Sequence, residues 1–258
     1  MHLTDELDYF VEGAFSLVNS GYYNVRAERK REAISLSAAL KERKGVPVIA
    51  EFKRRTPSQR ELSITADAHG ILSLFASKGI CAFSVLTEPH RFDGSLENLE
   101  EASHFGLPVL MKDFVISFEQ IEAARRLGAD AVLLIYEIFS RYQYNLDVLL
   151  EQIHAAGMEA VLEVNSPEQF SEAMHTDAEV IGINNRDLGT LQLHRGRTEH
   201  ILSLISKDRP VIGMSGVHSA ADALSMIRAG ADAVLIGTAA MENAGLIDSI
   251  REELLRLK

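Results

Sequence analysis

The sequence predicts a (β/α)8 barrel of α/β class, and three observations carry that expectation. Eight short apolar runs, rich in Val, Ile and Leu, recur along the chain and are nearly continuous, as strands covered on both faces are. They recur at a mean step of about 27 residues, which suits one strand and one helix per step. The chain also echoes itself half a barrel apart: Arg126-Leu127-Gly128-Ala129-Asp130-Ala131-Val132-Leu133 resembles Arg228-Ala229-Gly230-Ala231-Asp232-Ala233-Val234-Leu235. An open doubly wound sheet shares the first two features. The echo, at the entries to the fourth and eighth runs, favours closure. An ordinary helix-to-strand joint is the other reading of it, because Gly ends many helices in this way.

The elements follow in order. Leu7, Phe10, Val11, Phe15 and Val18 recur at helical spacing, and Arg26–Arg43 reads as a second, strongly charged helical stretch. Residues 1–45 are too short for a core of their own. The expected organisation is therefore one barrel domain, 1–258, in which 1–45 is an N-terminal helical extension. The predicted strands are 46–52, 80–86, 108–111, 131–136, 159–164, 180–183, 210–214 and 233–236. Amphipathic stretches such as 117–127, 146–156, 167–174 and 220–229 supply the intervening helices.

Composition narrows the function. The 258 residues are 47% hydrophobic and carry a formal net charge of -11. Such a surface repels phosphodiester backbones and anionic lipid, so neither nucleic acid nor membrane is an expected partner. A local cationic pocket for an anionic small molecule is compatible with it. A single cysteine, Cys81, excludes an intrachain disulfide and a Cys-rich zinc site. Cys81 begins the second run, where it reads as a small core residue. No apolar run approaches the length of a membrane span, and the N-terminus lacks a signal-peptide layout. The expectation is a cytoplasmic protein, monomeric or weakly oligomeric.

In a (β/α)8 enzyme the chemistry sits at the C-terminal strand ends. The first run ends Glu51-Phe52-Lys53; Glu51 and Lys53 share the face of Ile49, because side chains alternate along a strand. Two opposite charges on an apolar face are costly unless paired or used. The third run ends at Lys112, the fifth carries Glu163 and the sixth leads into Asn184 and Arg186. Any one such charge is an ordinary solvated strand end. A set of Lys, Lys, Glu and Asn at four strand ends is not. Ser215-Gly216 and Gly237-Thr238 follow the seventh and eighth runs, where barrel enzymes hold phosphate with backbone N–H groups; plain chain reversal is the bland alternative. His90 and His218 follow turns and read as solvated.

These residues carry a family resemblance. From about residue 46 to 241 the chain resembles indole-3-glycerol-phosphate synthase, the barrel enzyme of tryptophan biosynthesis. The matching blocks are Ile49–Lys53 with Thr56-Pro57-Ser58, Ser84–Glu88, Phe92–Leu96, Pro108–Phe114, Leu162–Val164, Gly182–Leu188 and Leu235–Gly237. The resemblance implies a carboxy-lyase that closes 1-(2-carboxyphenylamino)-1-deoxyribulose 5-phosphate to indole-3-glycerol phosphate, with loss of CO2 and water and without a metal or redox cofactor. It implies a catalytic set of Lys112, Glu163, Lys53, Glu51 and Asn184, with Lys112 as principal general acid, Glu163 as general base in dehydration, and Lys53 as a grip for anionic groups that also shares in proton transfer. Glu51 and Asn184 orient the sugar. Ser58, Phe92, Phe114, Leu133, Arg186 and Leu188 contact substrate, and Lys53, Ser215, Gly216, Gly237 and Thr238 hold its phosphate. For the apolar members ordinary core is the competing reading, and for Arg186 a brace of its own loop.

There are departures. The family usually reads Ser-Glu-Ser-Gly at the end of the seventh strand; here Gly213-Met214-Ser215-Gly216 puts Met214 in place of an active-site glutamate. Gln59-Arg60-Glu61 stands where the family commonly has a glycine. The alternatives are a related phosphosugar barrel with altered substrate and a non-catalytic phosphate-binding scaffold subunit. A phosphoribosylanthranilate isomerase is disfavoured, because that family's pattern has Cys and Asp at the strand ends that here carry Glu51/Lys53 and Glu163.

Overall fold

The computed structural model describes residues 5–42, 45–56 and 67–256. Eight parallel strands close into a barrel in chain order: β1 (Val46–Phe52), β2 (Ile80–Leu86), β3 (Val109–Lys112), β4 (Ala131–Ile135), β5 (Glu159–Val164), β6 (Val180–Asn184), β7 (Val211–Met214) and β8 (Ala233–Ile236). β1 pairs with β8, so no edge is left open. The helices are α1 (Glu6–Ser20), α2 (Leu36–Lys41), α3 (Ala68–Ser77), α4 (Pro89–Phe92), α5 (Leu96–Ser103), α6 (Phe118–Leu127), α7 (Tyr136–Tyr142), α8 (Leu146–Ala155), α9 (Pro167–Ala173), α10 (Arg197–Leu204), α11 (Ala220–Arg228), α12 (Thr238–Glu242) and α13 (Gly245–Arg256).

All eight apolar runs are strands, with small shifts at their ends. Pro108 and Pro210 lie just before β3 and β7; having no N–H, each contributes its carbonyl, to Phe83 and Ile181 respectively. The barrel interior is layered. Ile49, Leu110, Leu133 and Val161 are fully buried, and each lies two residues below Glu51, Lys112, Ile135 or Glu163.

The sequence echo has a structural cause. Asp130 accepts from the Val109 amide at 2.9 Å, and Asp232 accepts from the Val211 amide at 2.7 Å. Their own amides donate back to the Val109 and Val211 carbonyls at 2.8 Å. Each aspartate thus clamps the first residue of the preceding strand, once in each half-barrel. Arg29 and Arg31 neutralise Asp130, and Lys207 neutralises Asp232.

The N-terminal extension departs from two equal helices. α1 starts from a capping box between Asp5 and Asp8, ends at Gly21 in the left-handed conformation (φ 78°), and buries Leu7, Phe10, Val11, Ala14 and Leu17. Phe15 lies off that face and is 40% exposed. Among the described residues of the charged stretch Arg26–Arg43, only Leu36–Lys41 is helical. Arg29 and Arg31 both reach Asp130, and residues two apart share a side only where the backbone is extended.

Candidate active site

The residues at the C-terminal strand ends line one cleft. Glu51, Lys53, Lys112, Glu163 and Asn184 are there with Phe92, Phe114, Arg186, Leu188, Ser215, Gly216, Gly237 and Thr238. Strand register explains the convergence: Leu86 pairs with Lys112, Ile135 with Glu163, and Asn184 with Met214.

Two polar groupings face each other. On β1, Lys53 Nζ lies 2.7 Å from Glu51 Oε1, with both residues buried. The pair rests against Gly237. A Cβ at that position would lie 2.3 Å from Glu51 Oε1 and 2.6 Å from Lys53 Nζ, so the missing side chain makes the room. Across the cleft, Asn184 Nδ2 donates to Glu163 Oε1 at 2.8 Å. Lys112 Nζ lies 3.5 Å from Glu163 Oε2, beyond ordinary hydrogen-bond length. That oxygen is buried and has no hydrogen-bond partner. Glu163 is therefore held by one oxygen and presents the other toward Lys112. A carboxylate left in that state is costly unless a ligand completes it. The Asn184 carbonyl accepts from Arg197 Nη1 at 2.7 Å, which fixes the strand end behind the side chain.

Lys112 is followed by a buried network that the sequence did not announce. Asp113 Oδ2 accepts from Tyr23 Oη at 2.9 Å and from Thr87 Oγ1, and Oδ1 accepts from the Phe114 amide at 2.8 Å. Burial pushes the Asp113 carboxyl up to about 6, against the lowering effect of these donors. The same burial, with Asp113 adding to it, raises Tyr23 far above its usual value. α1 closes the aromatic side. Phe10 stacks on Phe114 with centroids 4.3 Å apart and packs against Phe92 at 5.9 Å, and the Glu6 amide donates to the Gly189 carbonyl.

Several expectations need correction. Leu133 is fully buried and does not line the cleft; the wall on β4 is Ile135, because the strand runs two residues further on the same face. His218 is exposed, as expected, and it also stands at the cleft wall beside Ser215 and Gly216. Arg186 both lines the cleft and braces its loop, donating to the Leu191 carbonyl at 2.7 Å; burial pulls its guanidinium below the usual value. Met214 is packed rather than loose. It is 1% exposed, and its methyl group fills the space over Gly182, where a Cβ would lie 2.3 Å from it. Ser58 and the Gln59–Glu61 segment lie outside the described residues. Cys81 is buried, its Sγ donates to the Val48 carbonyl, and burial pushes the thiol up to about 12. Among the described residues no three His, Cys, Asp or Glu side chains cluster as a metal site.

The model of the indole-3-glycerol phosphate synthase family matches residues 14–253. The chain belongs to that family. The indole-3-glycerol phosphate synthase of Methanocaldococcus jannaschii is 35% identical over 238 residues, covering 90% of this chain and 87% of that one. That of Mycolicibacterium gilvum is 40% identical over 223 residues, covering 86% and 81%. Among solved structures, an N-acetylmannosamine-6-phosphate 2-epimerase from Clostridium perfringens superimposes with a TM-score of 0.59 at 12% identity, covering 89% of this chain and 98% of that one. At that identity the likeness shows the barrel alone. The indole-3-glycerol phosphate synthase family resemblance read from the strand ends thus extends over nearly the whole chain.

Proposed function

We propose that the chain is an indole-3-glycerol-phosphate synthase of tryptophan biosynthesis. It closes 1-(2-carboxyphenylamino)-1-deoxyribulose 5-phosphate to indole-3-glycerol phosphate with release of CO2 and water. The observation that carries this reading is the Lys112–Glu163 pair, 3.5 Å apart, with Glu163 Oε2 lacking a hydrogen bond.

The chemistry follows from the charges. The substrate ketone gains negative charge as the aromatic carbon bearing the carboxylate attacks it. A lysine ammonium donating to that oxygen stabilises the charge and supplies the proton. Loss of CO2 then restores the aromatic ring. In the dehydration Lys112, reprotonated from solvent, gives a second proton to the new hydroxyl, which leaves as water, and Glu163 is placed to take the proton lost from the indoline system. Lys53, backed by Glu51, grips an anionic group, and Asn184 holds Glu163 in orientation while facing the sugar hydroxyls. Ser215, Gly216, Gly237 and Thr238 come from the loops after β7 and β8 at one end of the cleft, beside Lys53, and this is the phosphate end. Phe92, Phe114, Leu188 and Ile135 form the apolar end for the anthranilate ring. The working unit is one barrel domain, cytoplasmic, and monomeric or weakly oligomeric. No helix among the described residues is long and apolar enough to cross a membrane.

The test is turnover of the carboxyphenylamino substrate by the purified chain and by Lys112→Ala. General acid–base catalysis contributes about 100- to 10,000-fold, so the variant should lose at least the lower figure while retaining its melting temperature. A folded wild-type protein with no turnover would leave the scaffold reading standing. A Lys112→Ala variant within about threefold of wild type, far below that range, would remove Lys112 from the mechanism.

A further inference from the structure

Asn185 follows Asn184 but faces the other way. Its side chain is 1% exposed and lies behind the cleft wall, between β6, β7 and α10. Oδ1 accepts from both the Thr198 amide and Thr198 Oγ1, each at 3.0 Å. Two donors on that atom fix which end of the amide is oxygen. Nδ2 is then the donor, and it donates to the Ser215 carbonyl at 3.0 Å. The backbone of Asn185 is equally tied: its amide donates to the Met214 carbonyl, and its carbonyl accepts from the His194 amide.

The residue so held is in an unfavourable conformation. Ser215 has φ 65° and Gly216 has φ 84°, two consecutive residues in the left-handed region. Glycine adopts it freely, whereas serine persists there only where its surroundings hold it. In a trans peptide the carbonyl of Ser215 and the N–H of Gly216 point in opposite directions. Asn185 draws the carbonyl outward, behind the barrel wall. The Gly216 N–H is thereby turned toward the cleft that Ser215 and Gly216 line.

We propose that Asn185, itself fixed by Thr198, is a positioning residue that sets the affinity for the substrate phosphate by locking the Ser215–Gly216 peptide with its N–H toward the ligand. This rests on the assignment of the phosphate end given above. Asn185 touches no reacting atom, and Lys112 and Glu163 stand on other strands, so its effect falls on phosphate binding and not on the chemical steps.

The experiment uses the full chain and three variants: Asn185→Ala, Thr198→Val and Gly237→Asp. Titration calorimetry with inorganic phosphate gives Kd. Steady-state kinetics are run with the phosphorylated substrate and with the same compound lacking phosphate. Asn185→Ala should raise the phosphate Kd and the KM by about tenfold, the equivalent of one lost hydrogen bond to a charged group. Its kcat, and its kcat/KM on the dephosphorylated compound, should stay close to wild type. Thr198→Val removes one of the two donors on Oδ1 and should shift the same two quantities by a smaller factor; it decides the matter if Asn185→Ala does not fold. A general structural defect would lower kcat/KM for both compounds alike, and that result overturns the proposal. So does an unchanged phosphate Kd in Asn185→Ala while Gly237→Asp abolishes phosphate binding. Intact phosphate binding in a folded Gly237→Asp overturns the phosphate assignment itself, and the role of Asn185 with it.

Discussion

Replacing Gly237 with alanine adds one methyl group at the floor of the phosphate end. Its φ of -103° lies outside the left-handed region, and what the glycine supplies is space. The new Cβ would stand 2.3 Å from Glu51 Oε1, 2.6 Å from Lys53 Nζ and 3.0 Å from Lys53 Cε, where ordinary contact begins at 3.4 Å. The carboxylate and the ammonium must each retreat by about 1 Å, a shift the staggered side-chain torsions of both residues can supply. Both groups are the far ends of flexible side chains, so the fold should lose about 1 kcal/mol or less, a fall in melting temperature of roughly 2–4 °C for a chain of this size. The binding cost is larger. A hydrogen bond from an ammonium to an anion is worth about 1.5–3 kcal/mol, and about 1.4 kcal/mol is tenfold. With Lys53 displaced, KM should rise by roughly 10- to 100-fold. Turnover at saturation should change little, because Lys112 and Glu163 are across the cleft. The assay is the fluorescence of the indole product against substrate concentration, with thermal unfolding alongside. A variant that melts normally and keeps its KM within about twofold would refute both the phosphate assignment and the role given to Lys53, since one lost contact predicts far more.

Further expectations concern single positions. Glu163→Gln keeps the shape and the contact with Asn184 but removes the base; turnover should fall about 100-fold or more with KM little changed, and quenched-flow analysis should show an intermediate accumulating before dehydration. If ring closure slows instead, the two roles are assigned wrongly. Met214→Glu should raise turnover by restoring a carboxylate that orients the lysines; a variant that is stable but no faster would show that the packed methionine is no handicap. Asp113 titrates at about 6 in the fold against 3.8 ordinarily. The folded state then holds a proton between those values that the unfolded chain releases, so this group's contribution is most favourable below pH 3.8 and declines as pH rises through about 6. The full decline is on the order of 3 kcal/mol. Asp113→Asn should therefore become more stable relative to wild type between pH 4 and pH 7 in urea unfolding, and a difference independent of pH would count against the buried, titrating carboxyl.

Much of this was legible in the chain itself, for a physical reason. Parallel strands buried on both faces must be apolar, so eight runs at one-unit spacing write eight strand-and-helix units in hydropathy, and the internal echo is what favours their closure into a barrel. Alternation along each strand then fixes which of its last residues face inward, and Glu51, Lys53, Lys112, Glu163 and Asn184 follow from parity alone. The same reasoning stopped one layer short at Leu133, because alternation marks the face that Leu133 and Ile135 share and not the layer at which the cleft begins. The charged stretch from Arg26 to Arg43 read as a helix because local pattern contains no trace of Asp130, 99 residues beyond Arg31, which pulls the chain straight.

What periodicity encodes is a face, never a distance between faces. That Lys112 meets Glu163, that Asn184 occupies one oxygen of that carboxylate, and that Tyr23 reaches Asp113 across 90 residues are consequences of closing the sheet. The placing of Asn185 behind the Ser215 carbonyl, 30 residues away, belongs with them. Alternation sends the two neighbouring asparagines to opposite faces, but no local signal says what the outward one supports. The sequence by itself determined the alternation of strands and helices and the inward-facing chemistry, since both are short-range properties of strands. The tertiary structure alone decided which charges touch, which oxygen is left without a partner, and which peptide is turned toward the ligand, since these depend on strand register and loop geometry that only the closed barrel sets.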